Sequence, residues 1–582
     1  MKIALVLCLM LPLAATAAQP SADAAIATLI GDFEAYDRAD DPFAAGEEGD
    51  AKALALLPDV SPAADAARQV ALDRFRRRLA ALEGKPMSDE ARLNRDLLAR
   101  EVADRLQWLK FDMARMPFLN DSGFHTRLSE VATVTPIRSV ADAEAWIRRL
   151  EGTAAYYEAN IANARRGIRT GFTQPRIIAQ LVAAQARQQA ERSVDSHPLL
   201  APLLTLPATI APAMQADLQG RARTLIETQI LPAQLHFAEF MATEYLPAAK
   251  DDLAARDLPQ GEELYAFLVA HHTTTSLTPD QVHQIGLDEV ARIRAEMDKV
   301  IKETGFAGSF PEFLAFLRSD PRFYVTSRQA LLEKASEIAK RIDDQLPRHF
   351  GRLPRLTYGV RPVPSEIEEN YTTGRYFEGS PRLGIAGGLM INTSHLDQRP
   401  LYELPALALH EGVPGHHLQI ALAQELDDVP AFRRNAYVTA FVEGWGLYAE
   451  QLGLEMGIYR DPYERFGQLS YEMWRACRLV ADTGIHWMHW TREQATACFV
   501  ENTALSPTNI NNEVLRYISW PGQALAYKIG ELKLMQLRQE AERSLGADFD
   551  ERRFHDAVLL AGPLPLEILQ TRIRAWIAAA KF

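Results

Sequence analysis

The segment HEGVPGHH at 410–417 and, downstream, FVEGWG at 441–446 hold the residue types of a zinc centre built from two histidines and a glutamate. In the common zinc-peptidase helix the histidines stand at i and i+4, so both imidazoles leave one face, and the Glu beside the first acts as general base toward a metal-activated water. His410 and Glu411 match that pattern, but the i+4 position is Pro414, which has neither a ligand atom nor a backbone N–H. Absorbing Pro414-Gly415 as a bulge in the helix would bring His416 into register and turn His417 onto another face. His410, His416 and Glu443 are therefore the expected ligands, with His417 as the alternative to His416, and Glu411 is the expected base. The chemistry implied is hydrolysis at a metal with one open coordination position.

These residues need elements to carry them. Leu401, Leu404, Leu407 and Leu409 repeat at helical spacing and would draw His410 into a packed interior. The run 440–450 also reads as a helix, and it places Glu443 among Phe441, Val442 and Trp445, where a carboxylate needs a cation. Glu450, a heptad farther on, is placed to accept a hydrogen bond from a ligand imidazole. Between about 353 and 396 the texture changes to β-branched and aromatic residues punctuated by Gly and Pro, which predicts short strands and turns next to the metal helix. An edge strand there could pair with an extended peptide, and Gly387-Gly388 would let a substrate backbone approach, or the segment could be a structural hairpin. Elsewhere helical periodicity dominates. Thr278 and Thr491 read as N-caps with Gln281 and Gln494 at N3, and Pro198, Pro202, Pro207 and Pro212 read as turns within a bundle.

HEGVPGHHLQ, FVEGWGLYAE, DTGIHWMHWTREQA and RYISWPGQALAYKIGELK, together with LLPDVSPAA, ANARRGIRTGFTQPR and LTPDQVHQIGLDEVARIRAEM, resemble the bacterial domain-of-unknown-function 885 family, which is regarded as related to helical gluzincin-type zinc peptidases. The resemblance spans nearly the whole mature chain. It implies a mainly α fold, a large helical cleft-forming body with a small β-sheet beside the metal-binding helix, and Zn²⁺ as the cofactor. It also implies that DTGIH lies near the metal, so His486, four residues from Asp482, is either a satisfied structural partner or a contact of the ligands or substrate. Zinc peptidases commonly add a Tyr, His or Arg donor for the developing oxyanion. Of Arg516, Tyr517 and Tyr527, the resemblance of PGQALAYK favours Tyr527 as that donor and Arg516 as an anchor for substrate or intermediate.

The chain has 582 residues, with 47% hydrophobic and 24% charged residues, as expected of a soluble globular protein. A net charge of −13 argues against a nucleic-acid partner, and short basic runs such as Arg76-Arg77-Arg78 belong to solvated helix faces. Lys2, an apolar stretch from Ile3 to Ala15 and the small residues at 15–18 read as a signal peptide at 1–18, which implies a periplasmic or secreted protein with no stable membrane insertion. Cys8 lies too early, and lacks the small residue before it, for lipoprotein processing. Export leaves Cys477 and Cys498, which form either a disulfide or two buried thiols. An N-terminal helical region at 19–350 and a catalytic region at 351–582 are expected to form one continuous body. The function expected is a zinc metallopeptidase acting on oligopeptides. An amidase or esterase on a small amide or ester, or a non-catalytic peptide-binding protein of the same fold, are the alternatives. Oligomeric state, cleavage specificity and physiological role are left open by the sequence.

Overall fold

The computed structural model describes residues 21–365, 368–381 and 384–580; the expected signal peptide and Cys8 lie outside them. Helices dominate, with one three-stranded sheet. The capping expectations hold: Thr278 and Gln281 cap the helix Pro279–Glu303 reciprocally, and Thr491 and Gln494 do the same for Arg492–Asn502. Pro198 and Pro212 open helical segments at Pro198–Leu200 and Pro212–Leu225, and Pro202 lies in the short helix Ala201–Leu204, so these three prolines, expected in turns, begin or lie within short helical segments.

The helix Pro462–Met488 is the axis of the molecule, with every residue from Phe466 to His486 buried. Surrounding it on all sides costs no unpaired polar group in the interior only if its Glu, Arg, Asp and His side chains find partners within the protein, and most do. The helix Pro279–Glu303 packs along it, and Cys477 and Cys498, with Cα atoms 5.7 Å apart, are joined in a disulfide that ties it to Arg492–Asn502. This cross-link restricts the unfolded chain. One hydrophobic core runs from Phe43 to Ile577, across the expected boundary at 350, so the two regions share an interior. A second cluster, including Ile26, Phe33, Phe75, Leu98 and Val102, holds the N-terminal helices together.

The sheet has the order β1 (Tyr358–Pro362), β3 (Gly387–Ile391), β2 (Gly374–Phe377), with β1 parallel and β2 antiparallel to β3. The strands fall within the stretch where the sequence predicts them. Gly387 and Gly388 differ from expectation: they lie in the central strand, whose backbone is paired on both sides, so no substrate backbone can pair there. A Cβ at Gly387 would come within 2.6 Å of His417 Nδ1 and 2.9 Å of the Tyr376 hydroxyl. The glycine makes room for a histidine, not for a ligand.

Candidate metal centre

The chain from His410 to His417 does not form a bulged helix. A first helix, Leu404–Glu411, ends at Gly412; the Val413–Pro414 peptide is cis; and a second helix begins at His416 and runs to Gln424. Gly415 N–H donates to Leu409 O at 2.9 Å and His417 N–H to Gly412 O at 3.0 Å, folding the break back onto the end of the first helix. The indole N–H of fully buried Trp445 donates to Pro414 O at 2.8 Å, and burying such a ring contributes on the order of 3 kcal/mol. Pro414 and Gly415, expected to be absorbed within a helix, instead separate two helices and let the second start with His416 beside His410. The two imidazoles meet edge to face, with centroids 4.6 Å apart.

Glu443 comes to them on the helix Thr439–Glu455. Its Oε2 lies 3.4 Å from His410 Nε2 and 3.5 Å from His416 Nε2. Ligands of a tetrahedral zinc with bonds of about 2.0–2.1 Å stand roughly 3.3–3.4 Å apart, so the spacing of Glu443 from each imidazole fits such an ion. Gly446, one turn beyond Glu443, is what allows the approach: a Cβ there would lie 2.6 Å from the His410 ring. On the other side of that ring, Nδ1–H donates to Glu450 Oε1 at 2.8 Å. A carboxylate can only accept, so this bond assigns the proton to Nδ1 and directs the Nε2 lone pair at the centre. Burial by itself would lower the His410 pKa, but its bonds to Glu443 and Glu450 outweigh that and push it up to about 9. Glu443 is held well below the usual carboxylate range, because the two histidines outweigh its burial. A buried group of carboxylates that draws a proton onto a histidine has the electrostatics of a cation site. His416 Nδ1, in contrast, is buried without a hydrogen-bond partner among the described residues.

Glu411 stands beside this triad and is not its third corner. A grouping of His410, Glu411 and His416 with donor atoms within 4.8 Å of one another also exists. Glu411 Oε2, however, is 4.0 Å from His416 Nε2 and accepts the Tyr376 N–H at 2.7 Å, whereas Glu443 is nearer to both rings. That N–H belongs to β2, so one edge of the sheet faces the centre. His417 is excluded: its Nε2 meets Leu356 O at 2.9 Å, its Nδ1 meets the Tyr376 hydroxyl at 3.1 Å, and burial lowers its pKa. The structure thus brings together His410, His416, Glu443, Glu411 and Glu450 and sends His417 to the sheet.

The remaining expected residues divide. Tyr527 lies at the start of the helix Ala526–Leu545, which runs alongside the Glu443 helix in the same direction; Gly530 fits against Ala440 and Gly444, and farther along Arg538 bonds the Tyr448 hydroxyl. Arg516 donates to the Tyr527 hydroxyl oxygen at 3.2 Å and to Gln523 at 2.7 Å, which leaves the Tyr527 proton free to be donated. Tyr517 does not face the site. Its hydroxyl is locked between Trp474, Arg478 and Glu513 in the interior. His486 takes the structural of its two expected places and not that of a contact of the ligands or substrate: Nε2 meets Tyr517 O at 2.8 Å and Nδ1 accepts the Ala255 N–H at 3.2 Å, so both ring nitrogens are committed to backbone. Nor does it bond Asp482, which accepts from the Tyr265 hydroxyl and Gly522 N–H. The reading of Asp482 and His486 as a bonded pair fails because each points to a different packed neighbour.

Three participants were not anticipated. The Tyr376 N–H is a backbone group and leaves no mark in sequence. Arg375, next to it on β2, has its guanidinium pKa raised on balance by Tyr371, Glu411 and Tyr437 against the effect of burial. Tyr437 donates its hydroxyl to Glu443 Oε1 at 3.0 Å, although its ring is largely exposed. Its position six residues before Glu443, at the mouth of that helix, was the available signal.

The chain belongs to the family described as "Bacterial protein of unknown function (DUF885)", whose model matches residues 42–573. A crystal structure described as a "putative lipoprotein" from Colwellia psychrerythraea is similar to it, with 25% identity over 96% of this chain and 100% of that one and a TM-score of 0.89. A "putative lipoprotein of unknown function" from Shewanella oneidensis shares the fold at 18% identity, 94% and 99% coverage and a TM-score of 0.72. No curated protein matches the chain.

Proposed function

We propose that this protein is an exported, zinc-dependent metallohydrolase that cleaves oligopeptides, akin to the helical gluzincin-type peptidases. The observation that carries the reading is the convergence of His410 Nε2 and His416 Nε2 on one oxygen of Glu443 at 3.4 and 3.5 Å. Zinc held there supplies a Lewis acid that lowers the pKa of water toward neutrality. Glu411, with one oxygen pinned by the Tyr376 N–H, takes the proton of the attacking water and passes it to the leaving amine. Tyr527 donates to the oxygen that becomes negative, its own oxygen being satisfied by Arg516. The β2 edge, which already donates an N–H toward the centre, supports an extended peptide as substrate.

Export is supported by the N-terminal sequence and by the description of similar structures as lipoproteins. Among the described residues no helix is long and apolar enough to cross a membrane. The test is metal analysis of the purified protein, followed by digestion of a mixed peptide library with and without chelator, beside a panel of simple amides and esters. Stoichiometric zinc and chelator-sensitive peptide cleavage are expected. Cleavage confined to the small amides or esters would replace the peptidase by an amidase or esterase. A protein that takes up no zinc would leave a binding role.

A further inference from the structure

Arg375 is a cation at the mouth of the centre. It sits on β2, an edge strand of the sheet, along which buried and exposed residues alternate from Gly374 to Phe377. Gly374 and Tyr376 face the helices of the metal site: a Cβ on Gly374 would lie 2.9 Å from Leu407, and the Tyr376 hydroxyl meets His417 Nδ1 at 3.1 Å. Alternation turns Arg375 to the opposite, solvent-open face.

The next residue along the strand donates its N–H to Glu411 at 2.7 Å, so Arg375 stands one strand position from the candidate base. The mouth is crowded enough that burial weighs against the charge of its guanidinium, while Tyr371, Glu411 and Tyr437 favour it. Tyr437 in turn donates to Glu443 Oε1 at 3.0 Å, so the surroundings of Arg375 include both the base and the partner of a ligand.

Other arginines of this region are committed within the protein. Arg475 is 3.5 Å from Glu450, Arg478 donates to Glu513 at 2.8 Å, and Arg516 is 3.6 Å from Glu513 while it bonds Tyr527 and Gln523. Arg375 forms no ion pair with a carboxylate among the described residues. A guanidinium offers a planar fork of donors that matches the two oxygens of a carboxylate. Such a group arriving at the centre meets Glu411 and Glu443, of like sign, so a cation beside them decides whether it is accepted.

Resting on the reading of the centre as a peptide-cleaving site, we propose that Arg375 is a specificity residue that receives a carboxylate of the substrate close to the cleaved bond, presented either by the peptide's C-terminus or by an Asp or Glu side chain. A peptide laid along the β2 edge with its scissile bond at the centre carries the groups next to that bond past Arg375.

The test uses the full mature chain and two pairs of peptides: acetyl-tetraalanine with a free or an amidated C-terminus, and acetyl-Ala-Ala-Glu-Ala-amide beside its Gln counterpart. Cleavage is read by mass spectrometry and binding by calorimetry, with zinc content measured in parallel. In one pair the carboxylate form should be favoured about tenfold or more in kcat/KM, mainly through KM. Which pair shows this tells whether terminus or side chain is the group received. Arg375→Gln should bring that ratio close to one with zinc content unchanged, and Arg375→Lys should restore part of it. A ratio that survives Arg375→Gln, a variant that slows both members of each pair alike, or a wild type indifferent to charge in both pairs overturns the proposal and leaves the hydrolase standing. If neither these peptides nor a mixed library is cut, but calorimetry shows the same Arg375-dependent preference, the carboxylate site stands and the peptidase reading falls. A chain that neither cuts nor binds them overturns both.

Discussion

Two buried knots of charge in this molecule use the same residue types to opposite ends. Around Lys528, which is fully buried, Glu289, Glu472 and Glu531 close in at 3.1, 2.9 and 2.7 Å, and Arg292 adds a second cation to Glu472. Around His410 and His416, carboxylates from Glu443, Glu450 and Glu411 gather with no lysine ion-paired to them among the described residues; Arg475 stands behind Glu450 at 3.5 Å, and Arg375 lies on the sheet side near Glu411. The first knot carries its own cations, and the ammonium of Lys528 is pushed up by its carboxylates despite burial. In the second, a histidine is driven to about 9 for want of one. A buried acidic cluster is therefore informative about function only after its cations are counted. Tyr527 and Lys528 are consecutive, and the helix turns one toward Arg516 and the other into the Lys528 knot.

The sharpest way to break this contrast is at the ligands. Glu443→Ala should abolish metal binding and activity together, whereas Glu411→Gln should keep near-native zinc and lose turnover by about 10²–10⁴-fold. Metal analysis in which both variants are equally depleted would make Glu411 a ligand and undo the distinction drawn from geometry.

In the other knot, Lys528→Met should strand buried carboxylates and destabilise the fold by about 3–5 kcal/mol, read from denaturant unfolding. If it proved neutral, the knot would not depend on its internal cation.

Tyr527→Phe should lower kcat by about a hundredfold without loss of zinc or stability. An unaltered kcat on a good peptide would return Tyr527 to the core.

Asp482 sharpens the comparison from a third position, a buried carboxylate with neither metal nor cation. Burial raises its pKa from 3.8 to about 7, outweighing the bonds from Tyr265 and Gly522. A raised folded-state pKa contributes stability that is complete below the unfolded value and is lost as pH rises through the folded one, here between about pH 4 and 7. Asp482→Asn should remove that loss and gain on the order of 1–3 kcal/mol over wild type between pH 5 and 8. Parallel stability curves across that range would show that Asp482 ionises in the fold without penalty.

The smallest effect is expected at His417. His417→Ala should keep zinc and reduce activity modestly through the sheet, while His416→Ala should lose the metal. The reverse pattern would place the ligand on the other histidine.

Much of the candidate site was legible in the chain because residue type and spacing are local properties. His410 beside Glu411, Glu443 amid apolar neighbours and Glu450 a heptad later are statements about single helices, and the 3.6-residue period is enough to orient them. The capped helices and the strand-rich stretch before the metal helix were legible for the same reason, and the family resemblance carried the mainly α fold. What the sequence could not determine was how separate elements meet. Pro414-Gly415 signals an irregularity, but whether it bulges one helix or separates two depends on Trp445 reaching Pro414 from another helix. Gly387 reads as an approach site until the sheet places it in the centre with His417 against it. His486 carries the residue type of a catalytic group, yet its nitrogens are taken by backbone from residues more than thirty and more than two hundred positions away. Hydrogen bonds and close contacts between distant segments leave no period in the chain, so the tertiary structure alone decided which histidines converge with Glu443 and which are consumed by packing.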